Sequence, residues 1–376
     1  MPKKRSTPRP TRKSSPGAFA LIEILSQPLC WKNSLTQLRE TGVLQRVAGQ
    51  FAGAQEWVFI GCGSSYYVAQ AAAASMTALS RTPARAVPAS EFLLYPSLYP
   101  WSPNSVPLLI SRSGRTSEVL RVAEDLRARR IDSVGISCAP GQALEQLVSS
   151  AILLPAADEQ STVMTRSFTS MLMGLQALAA TIGGHTDFLS AQLEGVKAGE
   201  KLIDILPQRV GKFVTKHEFA DYVCLGQGGL YGIACESALK LTEMSVSYAQ
   251  SFHTMEFRHG PKSIVSEDTL IVFLLSEAGY KSEVEVLEEI KELGGTTMVV
   301  TNRADARAKA AADFLVEFNT QASEWAQLPL YLPSQQLMGL YTGTKKGMDP
   351  DRPRHLSRVV VLEDQETPEA PEHATI

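Results

Sequence analysis

Two stretches, WVFIGCGSSYY from Trp57 and YVCLGQGGLYG from Tyr222, are one pattern written twice. Gly61, Gly63 and Tyr66 recur as Gly226, Gly228 and Tyr231, and 226 − 61 sets a spacing of 165 residues. The same spacing carries Glu91-Phe92 onto Glu256-Phe257, Ser111 onto Ser276, and Ser117-Glu118-Val119 onto Ser282-Glu283-Val284. Four landmarks at one spacing indicate an internal duplication. Each copy reads as strand, glycine turn, helix, strand, hydroxyl-rich turn, helix and strand. The last strands are expected at Ser133 to Cys138 and Thr297 to Asn302. Apolar β-rich runs alternating with helical patterns imply parallel sheets with helices on both faces. The expectation is α/β: two sandwich domains, at 45–185 and 212–345. In such sheets ligands bind outside the carboxyl ends of the strands, where both glycine turns and both serine turns fall.

Composition narrows the function classes. The 376 residues carry 36 Lys and Arg against 39 Asp and Glu, a net charge of −3, which argues against a general nucleic-acid binder. Five cysteines with no C-x-x-C pair, and histidines with no ligand spacing, predict neither disulfides nor a metal site and fit a cytoplasmic protein. No apolar stretch has the length of a membrane span. Residues 1–18 are basic and rich in Pro and Ser and read as a disordered tail, with a helical arm expected over 19–44. Residues 346–376 form a C-terminal segment whose acidic end also reads as disordered.

The glycine turn is not a dinucleotide fingerprint. The third glycine is missing, Tyr66 standing in its place, and no acidic residue follows at the distance that would suit a ribose. The copies differ at their serine turns. Ser111-Arg112-Ser113-Gly114-Arg115-Thr116 offers hydroxyls, a helix N-terminus and two arginines, which suits a phosphate, although a plain N-cap with flanking serines has the same pattern. Ser276-Glu277-Ala278-Gly279 suits an anion poorly, so one phosphate site per chain is expected. In YGIACESALKLTEMS, Glu236, Lys240 and Glu243 share one helix face; this is either an exposed ionic stripe or a proton-handling group. His259 precedes Gly260-Pro261, a constrained turn that would aim an imidazole. A phosphate cradle, a carboxylate and an imidazole together suit aldose–ketose isomerisation, which requires no metal and no nicotinamide.

At these residues the chain resembles the SIS (sugar isomerase) family. The resemblance covers about residues 20–362 through EILSQP, GCGSSYY, SRSGRTSE, MTRSFTSM, ESALKLTEMS, EFRHGP and DPDRPRHLSRVV. It is specifically similar to the double-SIS isomerase half of glutamine–fructose-6-phosphate aminotransferases, and most of all to stand-alone glucosamine-6-phosphate deaminases and tagatose-6-phosphate ketose/aldose isomerases. The fold so implied is two tandem SIS domains, each a three-layer α/β/α sandwich with a mainly parallel, flavodoxin-like sheet.

The resemblance implies that Cys62, Gly63, Ser64 and Ser65 line the sugar site, Ser65 reaching the phosphate. Ser111, Arg112, Ser113 and Thr116 would hold that phosphate. Glu243 would be the base that moves a proton between C1 and C2, with Lys240 beside it. His259 would open the sugar ring from a neighbouring subunit, implying a homodimer with composite sites.

Two departures are visible. The family's imine-forming lysine falls on Arg358, which cannot form an imine. Arg166 replaces the lysine of the synthase's S-T-K turn, as in the stand-alone enzymes. A glutaminase half like the synthase's is not expected ahead of the first module, which would leave no visible means of making ammonia from glutamine. The expected reaction converts glucosamine 6-phosphate and water to fructose 6-phosphate and ammonia. A ketose/aldose isomerase, a fructosamine-phosphate deglycase and a non-catalytic sugar-phosphate sensor are the alternatives.

Overall fold

The computed structural model describes residues 15–362. It opens with three helices, α1 (Ala18–Leu25), α2 (Gln27–Thr41) and α3 (Val43–Gln50). The first copy follows: β1 (Glu56–Gly61), α4 (Ser64–Ser80), β2 (Ala84–Pro88), α5 (Ala89–Leu94), β3 (Ser105–Ile110), α6 (Ser117–Ala128), β4 (Val134–Ser137), α7 (Ala143–Leu147), β5 (Ser150–Leu153) and α8 (Arg166–Ile182). The long α9 (Phe188–Lys216) leads into the second: β6 (Asp221–Gly226), α10 (Gly229–Ser245), β7 (Tyr248–His253), β8 (Thr269–Leu274), α11 (Tyr280–Glu292), β9 (Thr296–Thr301), α12 (Ala306–Ala311), β10 (Phe314–Glu317), α13 (Glu324–Gln327) and α14 (Pro333–Lys345).

Both sheets have five strands in the same order, β2-β1-β3-β4-β5 and β7-β6-β8-β9-β10, and every pairing is parallel. The three central strands of each copy are those anticipated from the apolar runs. The four additional strands, β2, β5, β7 and β10, all lie at sheet edges. Their half-exposed side chains leave no continuous apolar run to read, as in β7 where no residue is buried.

The duplication holds to the residue through the first helix. Gly63 and Gly228 adopt φ 52, ψ −127 and φ 55, ψ −126, a conformation open to glycine, and each starts a 17-residue helix. Both helices end on left-handed residues, Arg81 and Val246, again 165 apart. Past that point the spacing slips. Leu109 pairs with Ile60, whereas Phe273, at a spacing of 164, pairs with the equivalent Leu225. Ser111 therefore corresponds in the sheet to Leu275, and the expected match with Ser276 is out by one residue. Six residues, 111–116, separate β3 from its helix in copy one, and five, 275–279, separate β8 from its helix in copy two.

Side chains alternate between two interiors along each central strand. Trp57 and Phe59 of β1 and Tyr222 and Cys224 of β6 face one core shared by both copies, whereas Val58 and Ile60, and Val223 and Leu225, face separate outer cores. The copies meet through α4 and α10. A Cβ on Gly232 would stand 2.6 Å from the Tyr67 carbonyl oxygen, so the absence of a side chain permits this approach. Gly339 and Gly343 of α14 touch α10 in the same way, at Lys240 and Met244.

The N-terminal arm is anchored to the C-terminal segment. Gly17 N–H donates to Asp349 Oδ1 at 3.0 Å, and Phe19 and Ala20 N–H donate to Asp351 at 3.0 and 2.7 Å. Two carboxylates at a helix start satisfy its free donors. The expected tail is thus too long at its inner end, since residues 15–18 are already folded. Its remainder, 1–14, and the acidic end from 363 lie outside the described residues.

Candidate active site

The turn after β1 and the middle of α10 converge at the junction of the two copies. Glu236 and Lys240 are fully buried, and Glu243 keeps 19% of its side chain open to solvent. Lys240 Nζ lies 3.2 Å from Glu236 Oε1, donates to Glu243 Oε2, and reaches Ser64 Oγ at 3.3 Å. The row is therefore buried against the first copy, and the exposed-stripe interpretation fails.

Burial pushes the Glu236 carboxyl up to about 8, against the pull of the Lys240 ammonium. Burial works to lower Lys240, but the two carboxylates outweigh it and hold the ammonium above its ordinary value. Burial therefore favours the protonated form of Glu236, while Lys240 pairs with Glu243. Neither Glu236 oxygen receives an aligned hydrogen bond. Glu236 was visible in sequence at four residues from Lys240, yet nothing local distinguished it from a surface charge.

Ser64 and Ser65 open α4 and are buried, Ser65 Oγ lying 3.9 Å from Met164 Sδ. Cys62 is half-buried. Burial, and then the Glu118 carboxylate, push its thiol up to about 12, so it offers a neutral wall rather than a nucleophile.

The serine turn sits at the carboxyl end of the adjacent β3. Ser111 Oγ and Thr116 Oγ1 share a hydrogen bond at 2.9 Å, and Ser113 Oγ accepts the Arg115 N–H at 3.2 Å. Gly114 takes φ 64, and a Cβ there would stand 2.8 Å from Gln142 Cβ. The Arg112 side chain turns away from the hydroxyls. It is 5% exposed and donates to Glu159 Oε2 and the Val163 carbonyl at 3.2 Å, and to the Arg358 carbonyl at 2.7 Å. Its charge is matched by Glu159, so the turn's anion affinity rests on hydroxyls, backbone N–H groups and the α6 N-terminus, with Arg115 exposed beside them.

Glu159 was not apparent from sequence. Besides Arg112 it accepts from Thr165 N–H and Oγ1 at 2.6 and 2.8 Å and from Ser167 N–H at 3.1 Å, tying the serine turn to the start of α8. Arg166 donates to the Asp158 carbonyl and, at 3.1 Å, to Ser26 Oγ. The C-terminal segment crosses the turn: Ser117 N–H donates to the Val360 carbonyl at 3.3 Å and Leu362 N–H to Ser117 Oγ at 2.9 Å. The Arg358 guanidinium pairs with Asp158 at 2.5 Å.

His259 stands apart from this group. It is exposed in the loop after β7, and among the described residues its imidazole makes no hydrogen bond or ion pair. Among the described residues, no group of three or more His, Cys, Asp or Glu side chains could hold a metal, and no helix is long and apolar enough to cross a membrane.

Comparison with known proteins agrees with this architecture. Glutamine–fructose-6-phosphate aminotransferases (isomerizing) from Pyrobaculum aerophilum and Idiomarina loihiensis are 27% and 28% identical over 92% of this chain. The chain spans 58% and 59% of their lengths. Among solved structures, a glucosamine-6-phosphate deaminase from Thermotoga maritima is 29% identical, with a TM-score of 0.76 over 92% of this chain and 100% of its own. The tagatose-6-phosphate ketose/aldose isomerase of Escherichia coli shares the fold, with a TM-score of 0.80 at 22% identity over 93% and 98% of the two chains. The SIS domain profile matches twice, over residues 50–181 and 222–341, one match on each copy. This chain belongs to the SIS domain family.

Proposed function

We propose that the chain is a phosphosugar isomerase whose reaction converts glucosamine 6-phosphate and water to fructose 6-phosphate and ammonia. The observation that carries this reading is the buried Glu236–Lys240–Glu243 row facing Ser64 of the glycine turn. It supplies a base at the solvent-facing end and a proton store behind it, beside a turn suited to a phosphate. The 29% identical deaminase structure supports the choice of substrate.

In this reading Ser65, Ser111, Ser113 and Thr116, with the backbone of Arg112, bind the phosphate, and Cys62, Gly63 and Ser64 border the sugar. Glu243 takes the C2 proton of the open-chain aldehyde, giving an enolamine, and returns a proton at C1. The resulting C2 imine adds water and expels ammonia, which leaves the ketose. Lys240 holds Glu243 in place and offsets charge forming on the oxygen at C1. General acid–base steps of this kind contribute about 10²–10⁴-fold to rate. No bond of this sequence needs a metal or an electron carrier.

Ring opening is assigned to His259 carried by a second copy, because in its own chain the imidazole lies outside the row. The working unit is then a homodimer, and its five free cysteines suit a reducing cytoplasm. Arg358 takes no covalent part; its backbone and guanidinium fasten the C-terminal segment over the serine turn.

The test is ammonia release from glucosamine 6-phosphate by wild type and by Glu243→Gln. Equimolar fructose 6-phosphate with the ammonia, lost in the variant, supports the reading. No ammonia from wild type overturns the deaminase, and tagatose 6-phosphate and fructosamine phosphates become the substrates to measure.

A further inference from the structure

The two serine turns have a common origin, yet their backbone donors meet different partners. In copy two, Ser276 N–H and Oγ both donate to Glu283, at 2.7 and 2.8 Å, and the next donor, Glu277 N–H, gives its hydrogen to Glu324 Oε1 at 2.7 Å. Two successive amide groups in the loop that leads into α11 are thus each satisfied by a carboxylate of the same chain. Glu283 is fully buried.

At the 164-residue spacing of the sheets Glu283 falls on the buried Val119, and the neighbouring Glu118 takes no part in the first turn. Glu118 Oε2 is buried without a partner and faces Cys62, and Ser111 Oγ pairs with Thr116 instead. Side-chain identity explains the difference: Glu283 reaches back to its turn, whereas Val119 in the same place has no oxygen to offer.

We propose that Glu283 and Glu324 are built-in substitutes for an anion: they occupy the second copy's anion-binding turn and close it to phosphate. Carboxylates on consecutive N–H groups present the same acceptor chemistry as phosphate oxygens. A free phosphate in wild type would have to displace two carboxylates and share the crevice with the nearby Glu277. The second crevice is therefore an ancestral ligand turn shut from inside. This does not depend on which sugar the first copy takes.

The experiment counts inorganic phosphate bound per full-length chain by equilibrium dialysis, for wild type and for Glu283→Ala/Glu324→Ala. The expected result is one more phosphate per chain in the double variant, whatever the wild-type count. An unchanged count overturns the proposal. A second measurement uses wild type alone, so it stands if the double variant fails to fold: the Ser276 and Glu277 amide resonances are followed through a phosphate titration. They should not move, and saturable shifts there overturn the proposal. A wild-type count of zero with a gain of one would retain the closed turn while refuting phosphate binding by Ser111 and Thr116.

Discussion

Lys240 Nζ lies 3.3 Å from Ser64 Oγ across a sequence separation of 176 residues, and this contact joins the duplicated halves at the candidate active site. The glycine turn of copy one and the corresponding helix of copy two form one group of side chains. Neither half holds a complete set alone, since the row Glu236–Lys240–Glu243 belongs to α10 and the serine turn to copy one.

Lys240 and Glu236 should respond unequally to loss of their titrating group. Lys240→Met leaves Glu243 beside a buried apolar chain, and breaking a buried pair costs about 3–5 kcal/mol. Burial favours the protonated form of Glu236, so the isosteric Glu236→Gln should stay within about 1 kcal/mol of wild type at pH 7. Urea unfolding of both variants at pH 7 measures the contrast. Equal losses would refute the charge assignment.

Stability should fall as pH rises from about 4.5 to 8. Glu236 and Glu283 have folded-state values pushed up to about 8 and about 7 from 4.5, by burial first in both cases. Across that interval the folded chain keeps protons that the unfolded chain has lost, so stability is greatest at the acid end and declines toward the folded values. For Glu283 the gap corresponds to roughly 3 kcal/mol. Glu283→Gln should remove the part of the decline that ends near pH 7, read from unfolding midpoints at each pH.

Two glycine-to-alanine changes should have opposite signs. Gly49 lies in α3 with nothing within 4 Å of its would-be Cβ, and Gly49→Ala should stabilise by about 0.5–1 kcal/mol through helix propensity alone. Gly343 is also helical, but its Cβ would stand 2.1 Å from the Met244 carbonyl oxygen. Overpacking typically costs about 1–3 kcal/mol and here meets backbone, so it should exceed the propensity gain. Thermal unfolding of the two variants checks the signs.

Val246 ends α10 at φ 49, a left-handed conformation unfavourable to a β-branched residue, and its side chain is 51% exposed. A left-handed L-residue costs about 1–2 kcal/mol, and little packing is lost by trimming this one. Val246→Gly should raise stability by about 1 kcal/mol and leave the row above it unchanged, as measured by midpoint shift and by activity.

The edge strands show where reading a sequence stops. The central strands are covered on both faces, so their apolar runs are continuous and announce themselves. β7 pairs along one edge only and buries none of its residues, so its sequence has no such mark. The row on α10 was legible as a spacing, but its burial was not. An i, i+4 pair of charges has the same pattern on a wet face as against a neighbouring helix, and only the approach of α4 at Gly232 decides between them.

By itself the sequence determined the duplication, the two glycine turns, the buried central strands and the residues available for proton transfer. These are local properties, written in periodicity and in what glycine alone permits. Tertiary structure decided the partners. Arg112 turns to Glu159, 47 residues away, Asp351 caps a helix 331 residues earlier, and Glu283 reaches back into the turn at Ser276. Such pairings depend on how packed elements bring distant groups within about 3 Å, a distance that no local pattern records.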